Sequence, residues 1–227
     1  SSGTVTLDTT TTSVISGSTT FNNLTCTTAG KQLTITSGTT QTIAGTLTLT
    51  GTSANKIILR SSSAGDTYTI TDSGTEAVSF VDVQDSIATN SIVAYNSTNS
   101  GNNTRWTFSS LAISSPQDSK TVGQTPAVRG TANAGDSVTI KDKDGTTVAT
   151  TTADANGNFR VTLSTSLALG VNSLTPYVGS VAGSANNLTV IANPTTDQVP
   201  TITSPTEGAT VRGNKPVSYT HLRAHET

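Results

Sequence analysis

Gly45-Thr46-Leu47-Thr48-Leu49-Thr50-Gly51 sets two leucines at alternate positions among threonines and closes the run with glycine at both ends. A period of two is the pattern of a strand with one buried face; a helix would repeat apolar residues at steps of three and four. Threonine fits the opposite face, because its β-branched side chain packs well on a pleated, half-buried surface. Val138-Thr139-Ile140 repeats the pattern far down the chain. The expectation is an all-β protein with Thr/Ser-coated faces.

Composition agrees. Ser and Thr fill about a third of the 227 residues, and only 11% are charged against roughly 25% in an ordinary soluble protein. Hydrophobic content is low at 32%, a value shared with chains that never fold. Here, however, the net charge is only -2, so self-repulsion is absent, and the polar excess is largely strand-forming Thr. A nucleic-acid partner is disfavoured because no basic stripe is present to neutralise phosphates. Membrane insertion is not expected, since no apolar run approaches the roughly 20 residues of a bilayer helix.

The pattern changes near Ser109 and Ser110. Upstream, short alternations are separated by Gly, Asn and Ser turns, with Gly30, Gly38, Gly45, Gly51, Gly65 and Gly74 as corners. Apolar residues recur near a 22-residue interval: Phe21 and Ile43, Ile35 and Ile57, Ile58 and Phe80, Ile70 and Ile92. Such an interval predicts stacked β-coils burying a narrow column of Ile, Leu, Val and Phe. An ordinary sandwich is the alternative. The segment from Asn99 to Phe108 would cap the last coil. Its Trp106, with Phe108 on the same strand face, is either an aromatic plug or a sugar-stacking platform. Tyr68 and Tyr95 are the other stacking candidates.

Residues 14–108 resemble a repeat module of large bacterial and archaeal cell-surface proteins. The resemblance is carried by Thr20-Phe21-Asn22-Asn23-Leu24-Thr25, Ala29-Gly30-Lys31, the Gly45–Gly51 run, Phe80-Val81-Asp82-Val83-Gln84-Asp85-Ser86, and Asn96-Ser97-Thr98 leading into Trp106. It implies a right-handed β-solenoid or β-helix, used as a stalk or adhesive segment, and carries over no catalytic residue.

From Leu111 to about Ala192 short strands follow one another at the spacing of a small sandwich, about 8–12 residues. Asp144-Gly145 and Asn156-Gly157 supply hairpin turns that tolerate positive φ. Ile113-Ser114-Ser115-Pro116 returns as Ile202-Thr203-Ser204-Pro205, and Thr121-Val122 as Thr210-Val211 at the same offset. The stretch resembles the bacterial Ig-like repeats of surface adhesins through Pro116, Gly130-Thr131-Ala132, Ala134-Gly135-Asp136, Ala153 to Phe159 and Leu169 to Asn172. The resemblance implies tandem extracellular spacer domains. The final stretch, 217–227, holds both histidines and resembles translated sequencing-adapter read-through. With a start lacking Met, it suggests an internal fragment. The expected organisation is therefore a β-solenoid-like surface module at 1–109 and an Ig-like sandwich at 110–194. A linker with the truncated start of the next Ig-like repeat follows at 195–216, then a non-native tail at 217–227.

Chemistry is sparse. With His confined to the tail, neither a zinc site nor a Ser-His-Asp triad assembles from the rest. Cys26 is alone and suits an inward position. Paired carboxylates are the remaining catalytic route, through Asp66, Asp72, Glu76, Asp82 and Asp85, if at least two share a cleft. No cofactor is expected, and Ca²⁺ is the better-motivated ion, through Asp136, Asp142, Asp144 and Asp154 at a domain end. A hard cation needs six to eight oxygens, however, and Lys141 and Lys143 oppose it. The sequence thus points to a non-enzymatic stalk or spacer of a secreted or cell-surface protein. Its partner would be a surface polysaccharide or a neighbouring or host cell. A carbohydrate-binding module or a carbohydrate-active β-helix enzyme is the alternative. As a spacer it is expected to unfold as two independent units.

Overall fold

The computed structural model describes residues 3–193. The expected next repeat at 195–216 and the tail at 217–227 lie outside the described residues. Among those described there are strands and turns but no helix. The all-β expectation holds.

Strands β1 (Thr4–Thr6), β2 (Ser13–Ile15) and β3 (Thr19–Phe21) form the first rung of a stack. The second rung is β4 (Asn23–Cys26), β5 (Gln32–Ile35) and β6 (Thr40–Ile43). The third is β7 (Thr46–Thr50), β8 (Ile57–Ser61) and β9 (Tyr68–Asp72). The fourth is β10 (Thr75–Ser79), β11 (Val81–Val83) and the first half of β12 (Ser86–Tyr95), which turns the corner into the fifth. β13 (Thr98–Asn99) and β14 (Thr104–Ser109) end the stack.

All pairings in this half are parallel, and they define three faces. The first is β1-β4-β7-β10-β12-β14, the second β2-β5-β8-β11-β13, and the third β3-β6-β9-β12. One rung therefore crosses each face once, and its inward side chains stack on those of the next rung. On the first face Cys26, Leu49, Val78, Ala94 and Phe108 make one such column. Leu33, Leu59 and Val83 make another on the second. Cys26 is fully buried in this core, where it serves as a small hydrophobe.

The solenoid-like stack is present, but the constant 22-residue interval is not. Phe21 does lie over Ile43. Ile35 instead pairs with Ser61, Ile58 with Asp82, and Ile70 with Ala88. The faces keep two to six residues per strand while the corners vary in length, so only one of the four spacings survives. Two corners touch directly: a Cβ on Gly74 would sit 1.5 Å from the Gly45 carbonyl oxygen. Only glycine permits that approach.

After Leu111 the pairing turns antiparallel. In chain order the strands are β15 (Ala112–Ser115), β16 (Lys120–Val122), β17 (Ala127–Thr131), β18 (Ser137–Lys141) and β19 (Thr147–Thr152). β20 (Asn158–Thr162), β21 (Gly170–Val178), β22 (Val181–Ala182) and β23 (Asn186–Val190) follow. One sheet is β15-β17-β20; the other is β16-β23-β21-β18-β19, with β22 beside β21. Only β16 with β23 is parallel among these ladders. Gly145 and Gly157 take the positive φ (79° and 77°) that their turns require.

The two halves share a core. Ala77 and Tyr95 point outward from the first solenoid face and belong to the same buried cluster as Leu111, Ile113, Val138 and Phe159 of the sandwich, with Val93 packed beside them. The Tyr95 hydroxyl donates to the Asp136 carboxylate. Asn96 clasps the joining segment, accepting from Leu111 N and donating to Leu111 O, each at 3.0 Å. Continuous packing of this kind opposes the expectation of two independently unfolding units.

Candidate functional site

The aromatic candidates separate by exposure. Tyr68 points into the third face and is 0% exposed; burial pushes its phenol well above the ordinary value. Tyr95 is 4% exposed and committed to the junction, where burial and the Asp136 carboxylate raise it likewise. Neither ring presents a face to a sugar, which removes both as stacking platforms. Trp106 stays half-buried. It stacks on Phe108 with ring centroids 6.2 Å apart and an interplanar angle of 22°. The two rings lie over Ile92 and Ala94, so together they cover the last rung. The indole N–H donates to Ser86 Oγ at 3.1 Å.

The four aspartates proposed for Ca²⁺ do not converge. Asp142 and Asp144 lie in the turn at one end of the β18–β19 hairpin, Asp136 and Asp154 at the other. Five strand residues separate the ends by roughly 17 Å. Each carboxylate also has local work. Asp142 Oδ1 accepts from the backbone N–H of Asp144 and Thr146, at 3.0 and 2.9 Å. Asp154 Oδ1 accepts from those of Asn156 and Asn158, both at 2.9 Å. Asp136 takes the Tyr95 hydroxyl and the Asn133 N–H, and Asp144 pairs with Lys143. They are turn caps. Among the described residues no three His, Cys, Asp or Glu side chains gather around one point.

The solenoid carboxylates are scattered too. Asp85 caps the corner between the second and third faces, accepting from Gly65 N–H and from the Asn102 amide. Asp66 lies in the loop before β9 and accepts from Ser63 Oγ. Asp82 points outward from the second face, paired with Arg60 at 3.0 Å and accepting from Ser100 Oγ. Partial burial pushes Asp82 up, but those hydrogen bonds outweigh it and hold the carboxyl below the usual range. Only Asp72 and Glu76 are neighbours. Asp72 is 4% exposed, with Oδ1 accepting from Gly74 N–H and Oδ2 unpartnered. Glu76 pairs in register with Leu47 but stays exposed at the start of β10. Burial and the adjacent Asp72 raise its carboxyl above the ordinary value.

Two surface depressions among the described residues are lined by charged side chains. One, of about 420 Å³, lies along the second solenoid face beneath the 52–56 loop and is lined by Asn55, Lys56, Ile58 and Asp82. Asp82 there is paired with Arg60, and Lys56 donates to Thr98 Oγ1. The other, of about 360 Å³, lies on the β15-β17-β20 sheet between Arg129 and Arg160. Sequence reasoning passed over both arginines, because two isolated cations 31 positions apart give no local signal. It gave no role of its own to Lys31, which is 0% exposed. The Lys31 ammonium donates to the carbonyl oxygens of Thr9 and Thr11, at 2.7 Å each, pinning the loop between β1 and β2.

The geometry thus defines a class: a three-faced parallel β-solenoid joined through a shared core to a two-sheet sandwich. Residues 114–194 match the family model described as a bacterial Ig domain. No curated protein matches the chain. Among the described residues no helix is long and apolar enough to cross a membrane.

Proposed function

We propose that this chain is a non-catalytic structural and adhesive segment of a large secreted or cell-surface protein, working as a stalk or spacer. A bacterial Ig domain is consistent with a surface module. The observation that carries the proposal is the common core at Tyr95, which joins the solenoid to the sandwich without a flexible linker. A spacer needs that property, because a swivelling joint would set no distance. Catalysis is given no place because the solenoid carboxylates are spread over separate corners and a face, and the one neighbouring pair is partly enclosed.

Calorimetry of the whole chain tests the rigid joint. A single cooperative transition is expected for the folded body. Tyr95→Ala should cost about 3 kcal/mol and split that transition in two. Two independent transitions in the unmodified chain would overturn the rigid spacer, and reducing-sugar release from a polysaccharide panel would overturn the non-catalytic assignment.

A further inference from the structure

Arg129 on β17 and Arg160 on β20 stand directly opposite one another in the antiparallel ladder. Both side chains are exposed. Like charges at facing positions of a sheet destabilise it, so the pair calls for a compensating anion. Neither arginine forms an ion pair: those among the described residues are Arg60 with Asp82 and Lys143 with Asp144, and Asp154, which lines the same groove, is in neither. Besides the ladder itself, their backbone carbonyls accept from Ser114 Oγ and Thr151 Oγ1, which leaves both guanidinium groups without a hydrogen-bond partner among the described residues. Each guanidinium therefore offers five N–H donors in a planar fork shaped for a carboxylate or phosphate.

The surroundings narrow the choice. Ser114, Thr131, Asn158 and Asp154 line the same groove. Hydroxyl and amide groups hydrogen-bond sugar hydroxyls in either direction. Asp154 has one oxygen held by its own turn, and its negative charge penalises a dianion more than a monoanion. Phe159, the groove's aromatic residue, is buried, so recognition rests on charge and hydrogen bonds rather than ring stacking. We infer that the Arg129–Arg160 groove binds a carboxylate-bearing sugar chain, a polyuronate, with the two guanidinium groups on the carboxylate and the polar wall on the hydroxyls. This gives the adhesive part of the proposed function a ligand class. Its failure would leave the spacer role, tested separately by unfolding, intact.

The test is titration of the whole chain at low salt with an oligogalacturonate, its fully methyl-esterified counterpart, and inorganic phosphate. Esterification removes the charge and keeps the ring. The oligogalacturonate should bind and raise the melting temperature, with affinity falling as salt is added. The ester should not bind, and phosphate should bind more weakly than the oligogalacturonate. Arg129→Gln and Arg160→Gln should each weaken binding by about tenfold or more, roughly the loss of one charge-assisted contact. The unliganded variants should melt no lower than the parent, because a like-charge contact has been relieved. Equal binding of ester and acid, phosphate binding as tightly as the sugar, unchanged affinity in both variants, or no binding of any probe would each overturn the assignment.

Discussion

The solenoid and the sandwich are built from the same Thr-rich alternation, yet they hold their strands by different means. In the sandwich a strand often finds its partner across a tight turn, as β18 meets β19 around Asp144-Gly145. In the solenoid no strand pairs with its successor; each waits for the chain to cross two further faces. Turn chemistry therefore decides pairing in one region, and contact between rungs decides it in the other. A glycine consequently means different things in the two places. Gly145 supplies a positive φ with open space around it, whereas Gly74 supplies room for the Gly45 carbonyl.

The sharpest way to break this contrast is to put the same methyl group in both. Gly74→Ala should cost more than about 4 kcal/mol, because backbone atoms of two rungs must separate. Gly145→Ala should cost only about 1–2 kcal/mol, the penalty of a left-handed conformation for a residue with a Cβ. Denaturant melts of both variants measure this, and equal losses would erase the distinction.

A smaller effect is expected where a charge borders the solenoid's stacking. Glu76 sits over Leu47 with its carboxyl raised by burial and by Asp72. Its ionised form opposes folding, so it weakens the stack at neutral pH and relents as acidification protonates it. Glu76→Leu should stabilise the chain by less than about 1 kcal/mol at pH 7, because solvent screens this exposed position, with the gain shrinking towards pH 4. The smallest effect belongs to Asp82, whose folded carboxyl is held low by Arg60 and Ser100. That contribution is present above the unfolded value near 3.9 and disappears as pH falls through the lower folded one. Asp82→Asn should cost less than about 1 kcal/mol at pH 7, since the pair is partly exposed, and nothing near pH 2. Matched acid melts of the two variants show opposite signs if both assignments are right.

How much was legible follows the same division. The sandwich strands around Val138, Phe159 and Leu188 and the turns at Gly145 and Gly157 could be read from the chain, because their causes lie within a few residues. Strand alternation was legible from Leu47-Thr48-Leu49 and stacked coils from the recurrence of Phe21 at Ile43, but the register of the other coils was not. That register depends on corner lengths, and a corner such as Asp85-Ser86 is fixed by Asn102 and Asn103 a rung away. The candidate sites were the least legible. Tyr68 and Tyr95 read as surface aromatics because nothing local announces burial, and the calcium aspartates are close in sequence yet point into different turns. Arg129 and Arg160 become neighbours only through the ladder.

The unequal coils have a last consequence. Along the first face, stacked positions are separated by as many as 29 residues, between Leu47 and Glu76, and by as few as 14, between Ile92 and Trp106. The register tolerates this because the faces alone carry the ladder. Such a scaffold separates its rigid part from its variable part: away from corners in direct contact, such as Gly45 and Gly74, insertions can accumulate at the edges of the prism without disturbing its height. The 52–56 loop, which overhangs the second face, is the place where a foreign peptide would be displayed at a fixed level on an unchanged frame.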